Sequence, residues 1–253
     1  MSMMSNWGIG ASILMYHSIA DNLDEAYTVS TNNFRKQIAW LYDNRFEVIS
    51  LSSLIRSIQA EDKKGLRKKV VITFDDGFQD FVINALPILQ EYNATATVFL
   101  VTDLLGKEAD WNRLKMRLMT EDEVRHIKEQ GISLGSHTAT HINLKQADPE
   151  EANRQIKESL EALKGLGETF FSLAYPWGQW SEQVAGMVKD AGYECALAVG
   201  EQTRMSVDDC YQLPRITMTQ DMDQNRFKSL LNRTCIEKDV RRKYRCFREK
   251  IKA

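Results

Sequence analysis

Short runs rich in β-branched and aromatic residues alternate with longer segments of helical periodicity along most of this chain. The candidate strands cover residues 12–16, 46–50, 69–74, 95–101, 132–135, 170–174, 194–199 and 212–217. Strands that alternate with helices in this way form parallel sheets joined by crossover helices. The pattern therefore predicts an α/β fold, a distorted (β/α) barrel of seven or eight parallel strands.

Length and composition favour one folded unit. The chain has 253 residues, of which 43% are apolar, and we find no internal repeat or linker that would divide it. We expect a single domain over residues 1–253, with the barrel core at about 12–217 and a basic helix at about 224–253.

The charge distribution limits which kinds of binding partner are expected. A formal net charge of −2 disfavours binding to nucleic acid, because such proteins need a concentrated basic surface. Only residues 241–252 are strongly basic. They contain seven lysines and arginines, and their apolar residues recur at helical spacing. This segment is expected either to make peripheral contact with an anionic membrane or to pack on the barrel with a solvated basic face.

The N-terminal region predicts where the protein is located. No lysine or arginine precedes Arg35, so the basic region of a signal peptide is missing, and no apolar stretch reaches membrane-spanning length. We therefore expect a cytoplasmic protein.

Two helix starts and one long loop are visible. Thr120 with Glu123 has the spacing of a capping box, and Asp148 before Pro149 is typical of a capped first turn. The loop at 103–118, which contains Trp111, either faces a substrate or packs as an ordinary loop.

Two adjacent carboxylates, Asp75 and Asp76, follow the apolar strand at 69–74 and precede Gly77, which permits a sharp turn. One interpretation is that either aspartate simply caps a helix beginning near Phe81. The alternative is a site that requires two acids at the end of a buried strand.

Two histidines, His137 and His141, stand four residues apart. On a helical turn this spacing places both imidazoles on one side, where they reach the same cation, although an isolated pair also occurs as two surface side chains. The chain has only four histidines. His17 falls at the end of the first predicted strand, whereas His126 lies in a charged helical stretch and is expected at the surface.

The candidate residues share a position at strand ends. In a βα barrel the carboxyl ends of the strands surround the active site, and the opposite ends serve mainly stability. His17, the two aspartates, His137 and the segment 175–178 all follow predicted strands. We expect them to lie together, because they come from four separated parts of the chain and are able to bind a metal, move protons or stack on a sugar.

These segments resemble the motifs of a known family. The runs Thr73-Phe74-Asp75-Asp76-Gly77 and His137-Thr138-Ala139-Thr140-His141 resemble the first two motifs of the NodB-homology polysaccharide deacetylases, carbohydrate esterase family four. Two further runs resemble the poly-N-acetylglucosamine deacetylase branch: Leu14-Met15-Tyr16-His17 and Leu213-Pro214-Arg215-Ile216. The similarity extends from about residue 12 to 217, nearly the whole predicted barrel.

The resemblance implies a division of roles. Asp76, His137 and His141 are expected to bind a divalent metal, which we take to be zinc, with cobalt, nickel or iron as alternatives. Asp75 is expected to be the general base. The backbone amide of Tyr175 matches a position that helps to stabilise the oxyanion, a contribution typically worth about 3 kcal/mol.

The chain departs from the family pattern at two places. Val199 stands in the region where the commoner pattern has a late histidine, so we expect His17 to be the general acid that protonates the leaving amine. Ala174 stands near the position of a missing motif arginine. Arg215 is expected either to orient Asp75 and lower its pKa or to pair with another acid at the barrel rim.

Trp177 and Trp180 form either a substrate-binding platform for a sugar ring or part of the core. The leading hypothesis is removal of N-acetyl groups from an amino-sugar-containing carbohydrate, with release of acetate. The alternatives are carbohydrate O-acetyl ester hydrolysis, hydrolysis of a small amide at the same site, and a non-catalytic carbohydrate-binding protein.

Overall fold

The computed structural model describes residues 11–21, 23–62, 65–111, 115–200 and 210–232. Its strands are β1 (Ala11–Tyr16), β2 (Ser18–Ile19), β3 (Thr28–Val29), β4 (Glu47–Val48), β5 (Lys69–Phe74), β6 (Thr97–Leu100), β7 (Ser133–Ser136), β8 (Ser172–Ala174), β9 (Cys195–Leu197) and β10 (Ile216–Thr217). Its helices are α1 (Thr31–Asp43), α2 (Leu51–Gln59), α3 (Leu86–Glu91), α4 (Glu121–Glu129), α5 (Pro149–Gly165) and α6 (Glu182–Ala191). Residues 224–232 are also helical.

The main sheet is parallel throughout. Seven strands follow the order β10-β1-β5-β6-β7-β8-β9, and β4 adds an eighth beside β5. Because β1 pairs with β5 along its whole length, β4 and β6 share the other edge of β5, β4 at its start and β6 at its end. β2 and β3 form a separate two-stranded sheet.

The sheet curls into a half-barrel, and the segment 213–217 lies across its gap. Leu213 forms a parallel bridge with Leu197 of β9, while Ile216 pairs with Leu14 of β1. One short segment therefore contacts both β1 and β9, the two strands on either side of the gap. This arrangement confirms the distorted barrel that the alternating pattern predicts.

Strand alternation divides the core into two layers. Val70, Ile72 and Val98 belong to the large cluster between the sheet and the surrounding helices. Val71 and Phe99 belong to a second cluster, to which five strands, α2 and Leu213 contribute, and this cluster fills the barrel interior.

Several predicted strands are correct in position but too long. The runs at 46–50, 194–199 and 212–217 correspond to β4, β9 and β10, which have two or three residues each. Several flanking residues of these runs, such as Phe46, Ala198 and Leu213, are buried although they lie outside the strands. Burial and strand pairing thus extend over different lengths.

The predicted helix starts are confirmed. Thr120 and Glu123 form both bonds of a capping box at α4, and Asp148 accepts two backbone N–H bonds at the start of α5. The helix expected near Phe81 begins as a π-helical turn, Phe81–Ala85, and continues as α3.

The C-terminal prediction is only partly within the described structure. The expected helix at 224–253 is helical over residues 224–232, and its basic part lies outside the described residues. Among the described helices, none is long and apolar enough to cross a membrane.

Candidate metal centre

Asp75 and Asp76 lie at the turn that ends β5. The Gly77 N–H donates to the Asp75 carbonyl over 2.9 Å, and both Asp76 and Gly77 have left-handed backbones, with φ of 69° and 74°. Its left-handed φ favours glycine at position 77, and a Cβ there would also lie 2.9 Å from a methyl carbon of Leu100. Because side chains alternate along a strand, Asp75 points into the barrel interior as Val71 and Thr73 do. Asp76, with its left-handed backbone, no longer follows this alternation.

Arg215 holds Asp75 in a two-point ion pair. Its Nη1 and Nη2 donate to Oδ1 and Oδ2 over 2.6 and 2.7 Å, and both side chains are buried. Burial by itself would raise the pKa of Asp75, but the guanidinium outweighs it and holds this pKa below its usual range. Each carboxylate oxygen keeps a lone pair, so Asp75 is still able to accept a proton.

The segment 137–141 is a loop, and the expectation of a helical turn is wrong. Thr138 and His141 have left-handed φ values of 67° and 62°, which no helix permits. The loop is attached to the end of β6, because His137 N–H donates to the Leu100 carbonyl over 2.7 Å and Asp103 N–H to the Ala139 carbonyl over 2.9 Å. The two imidazoles nevertheless converge on one point.

Asp76, His137 and His141 form a buried cluster with the dimensions of a metal site. Their ligand atoms lie within 4.8 Å of one another. Asp76 Oδ1 is 3.2 Å from His141 Nε2 and 3.5 Å from His137 Nε2. Ligands of a tetrahedral zinc at bond lengths of about 2.0–2.2 Å stand roughly 3.3–3.6 Å apart, so these two distances fit.

The electrostatics of the cluster also fit a cation. Asp76 Oδ1 is buried and has no hydrogen-bond partner among the described residues. Burial by itself would raise the pKa of Asp76, but its contact with His141 outweighs this effect, and the pKa lies well below its usual range. A buried carboxylate that stays ionised is stabilised by a nearby positive charge, which a divalent ion between these three side chains would supply.

His137 is prepared to act as a ligand through one nitrogen. Its Nδ1–H donates to the Ala174 carbonyl over 2.8 Å, which leaves the Nε2 lone pair facing Asp76. Burial lowers the pKa of His137 to about 4, so the imidazole is neutral near pH 7. Metal ligation requires that neutral form.

The cluster opens into a cavity of about 660 Å³, whose wall includes His17, Asp75 and the three candidate ligands. His17 is half-buried, and its Nδ1 has no hydrogen-bond partner within the described ranges. Its ring lies 4.8 Å from that of Tyr27. The structure therefore brings together the residues that the strand-end argument selects.

Two tryptophans flank His141 at the cavity wall. The Trp111 ring stacks on the imidazole at 4.1 Å and an interplanar angle of 14°, and the Trp177 ring meets it edge-on at 5.0 Å. Trp177 is 55% exposed and offers an open ring face. Trp180 is not in the cavity wall and packs against the large core cluster.

Tyr175 lies in the cavity wall, but its backbone amide is already engaged. The N–H donates to the Leu197 carbonyl of β9 over 3.0 Å, as part of the sheet. The hydroxyl donates to the Tyr211 carbonyl over 2.8 Å. An oxyanion could therefore use this N–H only by sharing or displacing the sheet bond.

Several cavity residues are not among the sequence-predicted site residues, and Trp111 and Tyr27 are two of them. For Trp111, the unusual length of its loop is a weak indication in the sequence that the residue lies near the site. Tyr27 lies beside His17 because β3 pairs with β2, the strand that follows His17 directly. No local pattern around Tyr27 indicates this contact.

Solved structures share this architecture. The fold superimposes on a Streptococcus pyogenes deacetylase, PplD, in complex with acetate: TM-score 0.78, 24% identity, 89% of this chain and 99% of that chain. It also superimposes on IcaB from Ammonifex degensii: TM-score 0.75, 15% identity, 90% of this chain and 97% of that chain. The chain has the NodB deacetylase fold.

Sequence comparison identifies the family. The profile described as Polysaccharide deacetylase matches residues 62–196, just over half of the chain. The chain therefore belongs to the polysaccharide deacetylase family.

Curated relatives match over a wider range. A Staphylococcus epidermidis poly-β-1,6-N-acetyl-D-glucosamine N-deacetylase is 28% identical over 205 residues, 77% of this chain and 69% of that protein. The Bacillus subtilis protein YxkH is 27% identical over 216 residues, 85% of this chain and 74% of that protein.

Proposed function

We propose that this chain is a metal-dependent hydrolase that removes N-acetyl groups from an amino-sugar-containing carbohydrate and releases acetate. The observation that carries this proposal is the buried Asp76-His137-His141 cluster, which shares one cavity with the Arg215-bound Asp75. The two carboxylates have different environments, and this difference supports two different roles.

The metal would be held by Asp76, His137 and His141. A divalent ion bound there supplies a Lewis acid, which lowers the pKa of water and polarises the acetyl carbonyl. Two nitrogens and one carboxylate suit zinc and also accept cobalt, nickel or iron. We propose zinc.

Asp75 is the proposed general base. It takes one proton from the attacking water, whose oxygen enters the acetate product. Arg215 fixes the orientation of the carboxylate and keeps it ionised. A base with a lowered pKa is suited to a water that is itself made more acidic in the site.

His17 is the proposed general acid. Cleavage of the amide bond leaves the sugar amine with the bonding electron pair, and the nitrogen needs a proton to leave as a neutral amine. The buried Nδ1 of His17 has no hydrogen-bond partner in the described part of the chain, and the residue lines the same cavity.

An amino-sugar substrate is supported by two observations. The exposed Trp177 face is suited to stacking on a sugar ring beside the cluster, and Trp111 adds apolar surface next to His141. The Staphylococcus epidermidis relative is named as an N-deacetylase of a poly-N-acetylglucosamine.

The test is a substrate screen with zinc-loaded protein. Acetate release is measured from N-acetylglucosamine oligomers and acetylated xylan, and hydrolysis is measured for a set of small amides. We expect the oligomers to be hydrolysed fastest. Activity on small amides alone would exclude the sugar substrate, and a preference for xylan would favour the O-acetyl esterase.

Replacing Asp75 by Asn separates catalysis from binding. We expect turnover to fall by about 10²–10⁴-fold, because the base is lost, while zinc content stays at the wild-type level. Turnover by the variant equal to wild type would show that Asp75 is not the base. Sugar binding without any wild-type turnover would instead indicate a carbohydrate-binding protein.

A further inference from the structure

The loop that carries both candidate histidines has an energetically unfavourable backbone conformation. Thr138 and His141 are left-handed and neither is glycine, so each disfavours the conformation that places the imidazoles together. A segment of this kind keeps its shape only when surrounding groups hold it.

Gln155 of α5 binds the residue next to His141 at two points. The Thr140 N–H donates to Gln155 Oε1 over 2.9 Å, and Gln155 Nε2 donates to Thr140 Oγ1 over 2.8 Å. The same Nε2 donates to Glu151 Oε1 over 2.9 Å. Both the backbone and the side chain of Thr140 are therefore fixed to α5.

The opposite end of the loop is attached to the same helix face. Thr138 N–H donates to Ser136 Oγ over 3.0 Å, and Ser136 Oγ donates to Ser159 Oγ over 2.8 Å. Positions 155 and 159 lie one helical turn apart and face the same way. The helix α5 thus restrains the loop at Ser136, directly before His137, and at Thr140, directly before His141.

Gln155 is the least expected residue on this face. It is 1% exposed, on a helix whose other buried residues are mostly apolar, such as Ile156 and Leu163. Helix packing alone would be satisfied by an apolar side chain. Only an amide places a donor and an acceptor side by side, which matches the N–H and hydroxyl of Thr140 at once.

We propose that Gln155 is a positioning residue that holds the loop 137–141, and with it His141, in the shape that binds the metal. The proposal rests on the metal site of the proposed function. Gln155 acts through Thr140 and touches neither the ion nor the substrate.

The test is a zinc titration of the full chain. Dissociation constants are measured by competition with a chromogenic chelator for wild type, Gln155→Met, Thr140→Val and the double variant. We expect Gln155→Met to weaken zinc binding by about 10–100-fold, the range for residues that orient metal ligands. Thr140→Val should weaken binding less, since it keeps the N–H bond, and the double variant should match Gln155→Met.

The matched control is Leu163→Ala on the same buried face, which should lower the melting temperature and leave zinc affinity unchanged. Equal affinity in wild type and Gln155→Met would overturn the positioning role and leave the metal site intact. Equal losses in Leu163→Ala and Gln155→Met would overturn it as well. Absence of zinc binding in wild type would overturn both proposals. Thr140→Val tests the same contact if Gln155→Met does not fold.

Discussion

Arg215 and Asp75 lie 140 positions apart in the chain, yet they form the most fully buried ion pair at the site. Arg215 Nε also donates to the Ala198 carbonyl over 3.2 Å, and the guanidinium lies over the Phe99 ring. Asp75 is thereby held in one orientation beside the metal cluster.

Removing this arginine should destabilise the protein. Arg215→Met leaves the Asp75 carboxylate buried without its partner, and we expect the free energy of unfolding to fall by about 3–5 kcal/mol. Urea denaturation followed by tryptophan fluorescence measures the change. The control is the double variant Arg215→Met with Asp75→Asn. Its free energy of unfolding should fall less, because no charge is left unpaired. An equal fall in both variants would contradict this explanation.

His17 should matter only when the leaving group needs a proton. For His17→Gln we expect turnover of N-acetylglucosamine oligomers to fall by about 10²–10⁴-fold, with little change for 4-nitrophenyl acetate, whose phenolate leaves unprotonated. The exposed His126→Gln is the matched control and should be active on both substrates. A similar loss on both substrates in His17→Gln would argue against the acid role.

At the scale of elements, the short strand β2 is joined to the π-helical turn that follows Asp76. Ser18 donates to the Asp80 carboxylate, and Asn84 Nδ2 donates to the Ile19 carbonyl over 2.7 Å. Single π-helical turns of this kind are frequent at functional sites. The contact places the segment beside His17 against the element that carries the aspartates.

Asp80 makes this contact dependent on pH. Burial raises the pKa of Asp80 to about 6, so the folded chain binds this proton more tightly than the unfolded chain does. The stability that Asp80 contributes is therefore complete below about pH 4 and is lost as pH rises through about 6. Replacement by Asn removes this dependence.

We expect Asp80→Asn to be more stable than wild type at pH 7.5, by up to about 3 kcal/mol, and the difference to shrink toward about pH 4. Urea denaturation at both pH values measures it. The exposed Asp43→Asn controls for the loss of one negative charge. A difference that grows as the pH falls would have the wrong sign.

At the scale of the whole molecule, the metal cluster joins parts of the fold that are distant in sequence. Asp76 follows β5, and the histidines follow β7, which is separated from β5 by β6. A ligand that binds only this folded arrangement stabilises the whole chain by mass action.

Zinc should therefore raise the melting temperature. At a free concentration about 100 times its Kd the gain is about 2.7 kcal/mol, which for a chain of this size corresponds to roughly 5–10 °C. Calorimetry of chelated and zinc-loaded protein measures the shift. In Asp76→Asn most of the zinc-induced rise in melting temperature should be absent. An unchanged rise in that variant would show that Asp76 is not a ligand.

The parts of the fold that depend on local pattern are predictable from sequence. The alternation of strand and helix, the capping residues of α4 and α5, and the glycine turn after Asp76 each depend on neighbours in the chain. Because parallel strands bring their carboxyl ends to one edge, the positions of His17, Asp75, Asp76 and His137 in one cavity follow from the same pattern.

Tertiary structure decides the contacts between distant segments. The histidine spacing suggests a helix, but the segment is a loop with two left-handed residues, and its N–H groups donate to β6 and α5. Both Trp177 and Trp180 resemble sugar platforms in sequence, yet only Trp177 faces the cavity. The pairing of Arg215 with Asp75 arises because the curl of the sheet brings residues 213–217 back to β1. Such contacts depend on how the chain closes, and no short stretch of sequence contains that information.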